Sequence, residues 1–157
     1  MSLGQVIKEL HDLFENGFQN VDVERANELH AKAYEIIDVE ECYTPTEMYW
    51  IDYYGSAIDT IERAEDFYYA YWEECSNTAL KDEIVRCYIG KCSSADFESI
   101  SKAYIKVFGG FDEWSQGRYE EEFFSYVRHG KRLYDEGFRV FESPKTRECY
   151  LFSTWNR

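Results

Sequence analysis

The residues Thr44, Pro45, Thr46 and Glu47 place the tightest local constraint on how this chain folds. Thr44 supplies an N-cap hydroxyl, Pro45 suits the first helical position, and Glu47 can close a capping box. A helix is therefore predicted from Pro45, and its apolar pattern continues to about Cys75. Gly55 is the expected point of any bend or break within it. On one continuous helical wheel, Tyr54, Ile58, Ile61, Tyr68, Trp72 and Cys75 share a side and predict a core face. Asp52, Asp59, Glu62, Asp66 and Glu73 fall nearly opposite. Tyr49, Tyr53, Phe67 and Tyr71 form an aromatic flank beside those acids.

Helical periodicity extends in both directions. Over residues 3–15, Leu3, Val6, Ile7, Leu10, Leu13 and Phe14 make one apolar stripe, which Asn16 and Gly17 end. A second helix is predicted from Asp22, as N-cap, to Ile37, with Ala26, Leu29, Ala33, Ile36 and Ile37 facing inward. Residues 38–43 read as an acidic connection. Further on, Asn77 or Thr78 can start a helix ending near Gly90, and Ser94 can cap another that carries Phe97, Ile100 and Tyr104. Gly109 and Gly110 interrupt the pattern, and residues 111–123 read as short helix or irregular chain. Residues 123–135 read as helix again, closed by Gly137.

The segments Phe138–Glu142 and Cys149–Ser153 are β-prone and flank a turn-like linker, residues 143–147. They predict a hairpin, which must pack on helices because a lone hairpin is marginal. The expected fold class is mainly α: a helical bundle with a small C-terminal β-hairpin, hence α+β. A length of 157 residues suits one continuous compact unit. Within it, residues 1–80 form an acidic helical region. Residues 81–157 form a charge-neutral helical region with the terminal hairpin.

The charge is unevenly placed. Residues 1–80 hold 18 acids against four bases, and residues 81–157 hold 13 of each. The entire net charge of −14 therefore belongs to the first region. Self-repulsion of this kind opposes folding and needs a return. Solubility is the ordinary return, and attraction of a basic partner is the specific one. Direct binding of nucleic acid is excluded, because such a surface repels phosphates.

Other classes find little support. No run approaches the roughly 20 apolar residues of a membrane span, and the start lacks the pattern of a signal peptide. The cysteines Cys42, Cys75, Cys87, Cys92 and Cys149 are odd in number and form no CxxC, which fits free thiols in a reducing, cytoplasmic compartment. No zinc or calcium ligand set is spaced along the chain. Catalysis has only His11, His30 and His129 to draw on, and no nucleophile elbow, HExxH, P-loop or dinucleotide motif is present. No enzyme activity, cofactor or metal is expected. Aromatics make up 18% of the chain, and Tyr and Trp serve core and contact surface alike.

From about Leu80 to Phe152, the chain resembles the C-terminal part of ArdA-type antirestriction proteins. The resemblance rests on Asp96, Phe97 and Glu98 leading to Ala103, Tyr104 and Ile105. A glycine, then Phe111, Asp112, Glu113 and Trp114, follow. The acidic-aromatic run from Glu120 to Tyr126 and a closing aromatic strand complete it. The resemblance covers less than half of the chain. It implies an elongated, dimeric DNA mimic that inhibits restriction enzymes and is carried by phages or mobile elements.

Charge placement leads to the same expectation, a non-enzymatic acidic inhibitor that mimics DNA. Its partner would be a basic DNA-binding protein or nuclease of a restriction or CRISPR defence system in a bacterial cytoplasm. Asp59, Glu62 and Asp66 climb a helix in steps of roughly 4.5 and 6 Å. A surface that reads a phosphate backbone through Lys and Arg can meet such a row. Asp52, Asp59, Glu62, Asp66 and Glu73 are the expected contacts, with Glu35, Asp38, Glu40 and Glu41 extending the surface. Tyr49, Tyr53, Phe67 and Tyr71 would anchor a partner or a homodimer seam. The alternatives are an immunity-type or antitoxin-type protein that neutralises a basic toxin, and an enzyme of unknown type.

Overall fold

The computed structural model describes residues 1–75 and 81–154, with backbone alone for 73–75. These residues form a mainly α structure with a small antiparallel sheet towards the C-terminus. The contacts divide the chain into two compact units, Met1–Arg63 and Ala64–Arg157.

The first unit is three helices: α1 (Leu3–Phe14), α2 (Val23–Glu40) and α3 (Pro45–Glu62). Each start is fixed by a side chain that answers an orphan backbone N–H. Ser2 and Gln5 form a capping box on α1, and Asp22 accepts the Arg25 N–H at 3.1 Å on α2. On α3, Thr44 accepts from Glu47 N–H at 3.1 Å while Glu47 accepts from Thr44 N–H at 2.9 Å. The three apolar stripes meet through Val6, Leu10, Leu29, Ala33, Ile51, Tyr54 and Ala57, all buried. Helix α2 runs beyond Ile37, so Asp38 and Glu40 are helical rather than part of a connection.

The helix predicted across residues 45–75 is broken, but not at Gly55. It stops at Glu62 and restarts at Ala64 as α4 (Ala64–Cys75). Between them Arg63 leaves the helical region (φ −111°, ψ 21°), its N–H directed at Asp59 and Ile61 carbonyls. Gly55 lies inside α3 and serves another purpose. A Cβ there would stand 2.8 Å from His30 Nε2, which itself sits 3.0 Å from the Ile51 carbonyl oxygen. Glycine thus admits an imidazole against the helix backbone.

The break resets the helical wheel. The inward face of α4 is Phe67, Ala70 and Tyr71, all buried, whereas Tyr68 is exposed. The second unit continues with α5 (Lys81–Cys87), β1 (Tyr88–Cys92), α6 (Phe97–Val107), α7 (Phe111–Ser115), α8 (Tyr126–Asp135), β2 (Phe138–Glu142) and β3 (Cys149–Ser153). The hairpin strands lie where predicted. The helix expected to end near Gly90 ends at Cys87, and Tyr88–Cys92 adds a third strand (its proposed start, Asn77 or Thr78, lies outside the described residues). The strand order is β1-β3-β2, so β3 is central.

Alternation along β3 sends Tyr150 and Phe152 into one cluster, with Phe67, Tyr71, Ile84, Tyr88 and Phe141. Leu151 joins the other cluster, with Cys92, Ile100, Ala103 and Leu133. Helix α6 is capped by Asp96, which accepts the Ser99 N–H at 2.8 Å, and Ser94 donates to Asp96 instead of capping. The packing of α6 on α8 depends on Gly130, where a Cβ would lie 1.7 Å from the Phe97 carbonyl oxygen.

Candidate functional site

Helix α2 is amphipathic in a particular way. Ala26, Leu29, Ala33 and Ile36 are buried, and on the opposite side Glu24, Glu28, Glu35 and Asp38 are exposed. Helical geometry spreads these four carboxylates over roughly 21 Å of one stripe. Only partial neutralisation is at hand. Arg25 reaches Glu28 at 3.3 Å and Glu9 at 3.2 Å, and Lys32 stands 3.8 Å from Glu35. Exposed pairs of this kind are worth about 1 kcal/mol or less each. Glu24 and Glu28 add to the acids expected from the sequence. Their signal was the four-residue spacing opposite the Ala26–Leu29–Ala33 stripe.

The stripe ends in a denser group. Asp38, Glu40 and Glu41 are exposed at the C-terminus of α2, and its last turn contains no basic residue. A helix C-terminus already carries about half a negative charge, so each carboxylate there costs roughly 0.3–1 kcal/mol. Among the described residues none of the three is in an ion pair. Glu41 also adopts the left-handed conformation (φ 51°) that usually falls to glycine. Between them Val39 is 79% exposed, and Tyr43 is exposed just beyond.

The acids assigned to one continuous face are otherwise employed. Asp52 is half-buried beside Tyr34, whose hydroxyl lies 3.5 Å away, and burial pushes its carboxyl up to about 6. Asp59 pairs with Arg63 at 3.1 Å, and Glu62 accepts from Asn27 at 2.7 Å. Asp52 and Glu62 thus tie α3 to α2. Asp66 belongs to the second unit, where it accepts from the hydroxyls of Ser143, Thr146 (3.0 Å) and Tyr150 (2.6 Å) and fixes the β2–β3 turn. The Glu73 side chain lies outside the described residues.

The aromatic flank divides in the same way. Phe67 and Tyr71 are fully buried core residues, so they are not surface anchors. Tyr49 is 59% exposed and stacks on Tyr53 at 6.4 Å. Beside them Trp50 meets the His11 ring edge-on at 4.6 Å, and His11 Nδ1 is hydrogen-bonded to the Tyr54 hydroxyl. Burial lowers the His30 imidazole below its ordinary value.

Among the described residues no three His, Cys, Asp or Glu side chains group to hold a metal ion. No described helix is long and apolar enough to cross a membrane. Compared with protein-family models, with curated proteins and with solved structures, the chain has no match.

Proposed function

We infer that the first unit is the docking surface of a non-enzymatic inhibitor, which presents carboxylates in place of DNA phosphates to a basic nuclease or DNA-binding protein of a bacterial defence system. The observation that carries this reading is the end of α2. Three carboxylates, Asp38, Glu40 and Glu41, with no ion pair among the described residues, crowd the negative pole of a helix around an exposed Val39. Such an arrangement weakens the free protein, and a cationic surface would relieve it. The stripe of Glu24, Glu28 and Glu35 extends it, and Tyr49 with Tyr53 offers a separate aromatic contact on the same unit.

The test is DNA-cleavage protection across a panel of restriction and CRISPR nucleases at two salt concentrations. The comparison protein carries Asp38→Asn, Glu40→Gln and Glu41→Gln. Protection that weakens with salt and disappears in the triple variant is expected, because a charged interface is screened. The variant should also melt at a higher temperature than the parent. Equal protection by both proteins would defeat this reading. Absence of protection throughout, with capture of a single basic toxin instead, would favour the immunity-type alternative.

A further inference from the structure

The second unit contains a wide-mouthed cleft of about 550 Å³. That volume lies within the range of small-molecule sites, about 300–1,000 Å³. Its aromatic wall is Trp114, Tyr119 and Phe124. Trp114 and Tyr119 are nearly parallel (17°) with centroids 5.9 Å apart, and Phe124 meets Trp114 at 5.3 Å. Three arginines, Arg118, Arg128 and Arg132, line the same space. Two carboxylates, Glu120 and Glu136, also line it, and Glu136 is committed to Arg132 at 3.3 Å.

The cations are held in distinct ways. Arg118 is braced by the Ser115 and Trp114 carbonyls at 3.0 and 3.3 Å and lies over the Tyr119 ring. Arg128 has no carboxylate partner among the described residues. His129, at the cleft wall, has Nδ1 2.7 Å from the hydroxyl of buried Ser101 and its ring 4.8 Å from Trp114. Burial, then Arg132, hold its imidazole below the ordinary value.

We propose that this cleft binds a mononucleotide, with the base against Trp114 and Phe124 and the phosphate on Arg128 and Arg132. Planar rings stack on aromatic walls, and guanidinium forks match phosphate oxygens. A long strand is disfavoured because Glu120 lines the cleft and exposed Glu121 and Glu122 follow it, a local run of carboxylates that repels further phosphates, whereas one nucleotide brings few. The site lies wholly within the second unit and is independent of the acidic surface of the first.

The test is titration of the full chain with adenosine monophosphate, followed by NMR at the Trp114 indole and the His129 imidazole. Adenosine, inorganic phosphate and a short oligonucleotide are run in parallel. Saturable shifts at both residues are expected by about 10 mM, along with an upward move of the His129 titration. Exposed Arg128 permits Arg128→Gln without loss of fold, and that variant should bind about ten-fold more weakly. Trp114→Leu should lose the shifts at His129. The proposal is overturned by an absence of shifts, by equal binding of adenosine or of phosphate alone, by tighter binding of the oligonucleotide, or by an Arg128→Gln variant that binds as the parent does.

Discussion

The stretch Met1–Arg63 carries 14 acids against four bases, whereas Ala64–Arg157 carries 17 against 13. The two units also use their acids differently. In the second, Asp66 gathers three hydroxyls around the β2–β3 turn, and Asp96 takes a backbone N–H and the hydroxyls of Ser94 and Ser99. In the first, Asp22, Glu47, Asp52 and Glu62 are likewise given donors, but helix α2 turns Glu24, Glu28, Glu35 and Asp38 away from its core and ends in two further exposed carboxylates, Glu40 and Glu41. A carboxylate given donors is a building element, and one left without them is a charge available to something else.

The comparison can be broken most severely at Gly130. Gly130→Ala would drive a methyl group into the Phe97 carbonyl and separate α6 from α8. A loss of about 3 kcal/mol or more is expected in denaturant unfolding, confined to resonances of the second unit in the early transition. An unchanged midpoint would show that the close approach is unimportant. Asp66→Ala comes next, with about 2 kcal/mol lost as Ser143, Thr146 and Tyr150 forfeit an acceptor. The contrasting change, Glu28→Gln on α2, should stay within about 0.5 kcal/mol of the parent. Similar effects of both would erase the distinction between the units.

Smaller effects test the first unit itself. Gly55→Ala should displace the His30 ring and cost about 1 kcal/mol, a side chain being able to yield where a backbone cannot. Its signature is a changed His30 titration followed by NMR. The smallest effect concerns pH. Asp52 titrates near 6 in the folded chain, above its usual range, so the fold favours its protonated form. Asp52→Asn should therefore raise the melting temperature by a few degrees at most at pH 8, and the gain should fade as pH drops from about 6 towards 4. His30 acts with the opposite sign. Its imidazole is lowered by burial, so the parent should lose stability as pH falls through 6.5, and His30→Gln should remove that loss.

Local chemistry was the most legible part of the sequence. The Thr44 capping box, the Asp22 cap and both hairpin strands are specified within a few residues, and all are present. The strand Tyr88–Cys92 was hidden because its segment follows a helix without punctuation and becomes a strand only by pairing with distant Cys149–Ser153. The break at Arg63 has no glycine or proline to announce it. Missing it carried one helical phase across two units and put Phe67 and Tyr71 on the surface, where the reset phase buries them. The acids suffered the same error. Position on a wheel groups Asp52, Glu62 and Asp66, but their roles depend on Tyr34, Asn27 and Tyr150, which no spacing rule brings together. Glu35 and Asp38 stand exposed because they lie opposite the buried Ala26, Leu29, Ala33 and Ile36 of α2, and Glu40 and Glu41 because they lie at its end.

The central place of β3 bears on how the chain is made. Both of its neighbours, β1 and β2, precede it, and neither pairs with the other. During synthesis those two strands must wait with open edges until Cys149–Ser153 leaves the ribosome, while α1, α2 and α3 can already pack on one another. The acidic unit is thus ready early and the aromatic sheet completes late. A ribosome that stalls between residues 142 and 149 would release a chain with a finished first unit and two unpaired strands, a species prone to join its like through those edges.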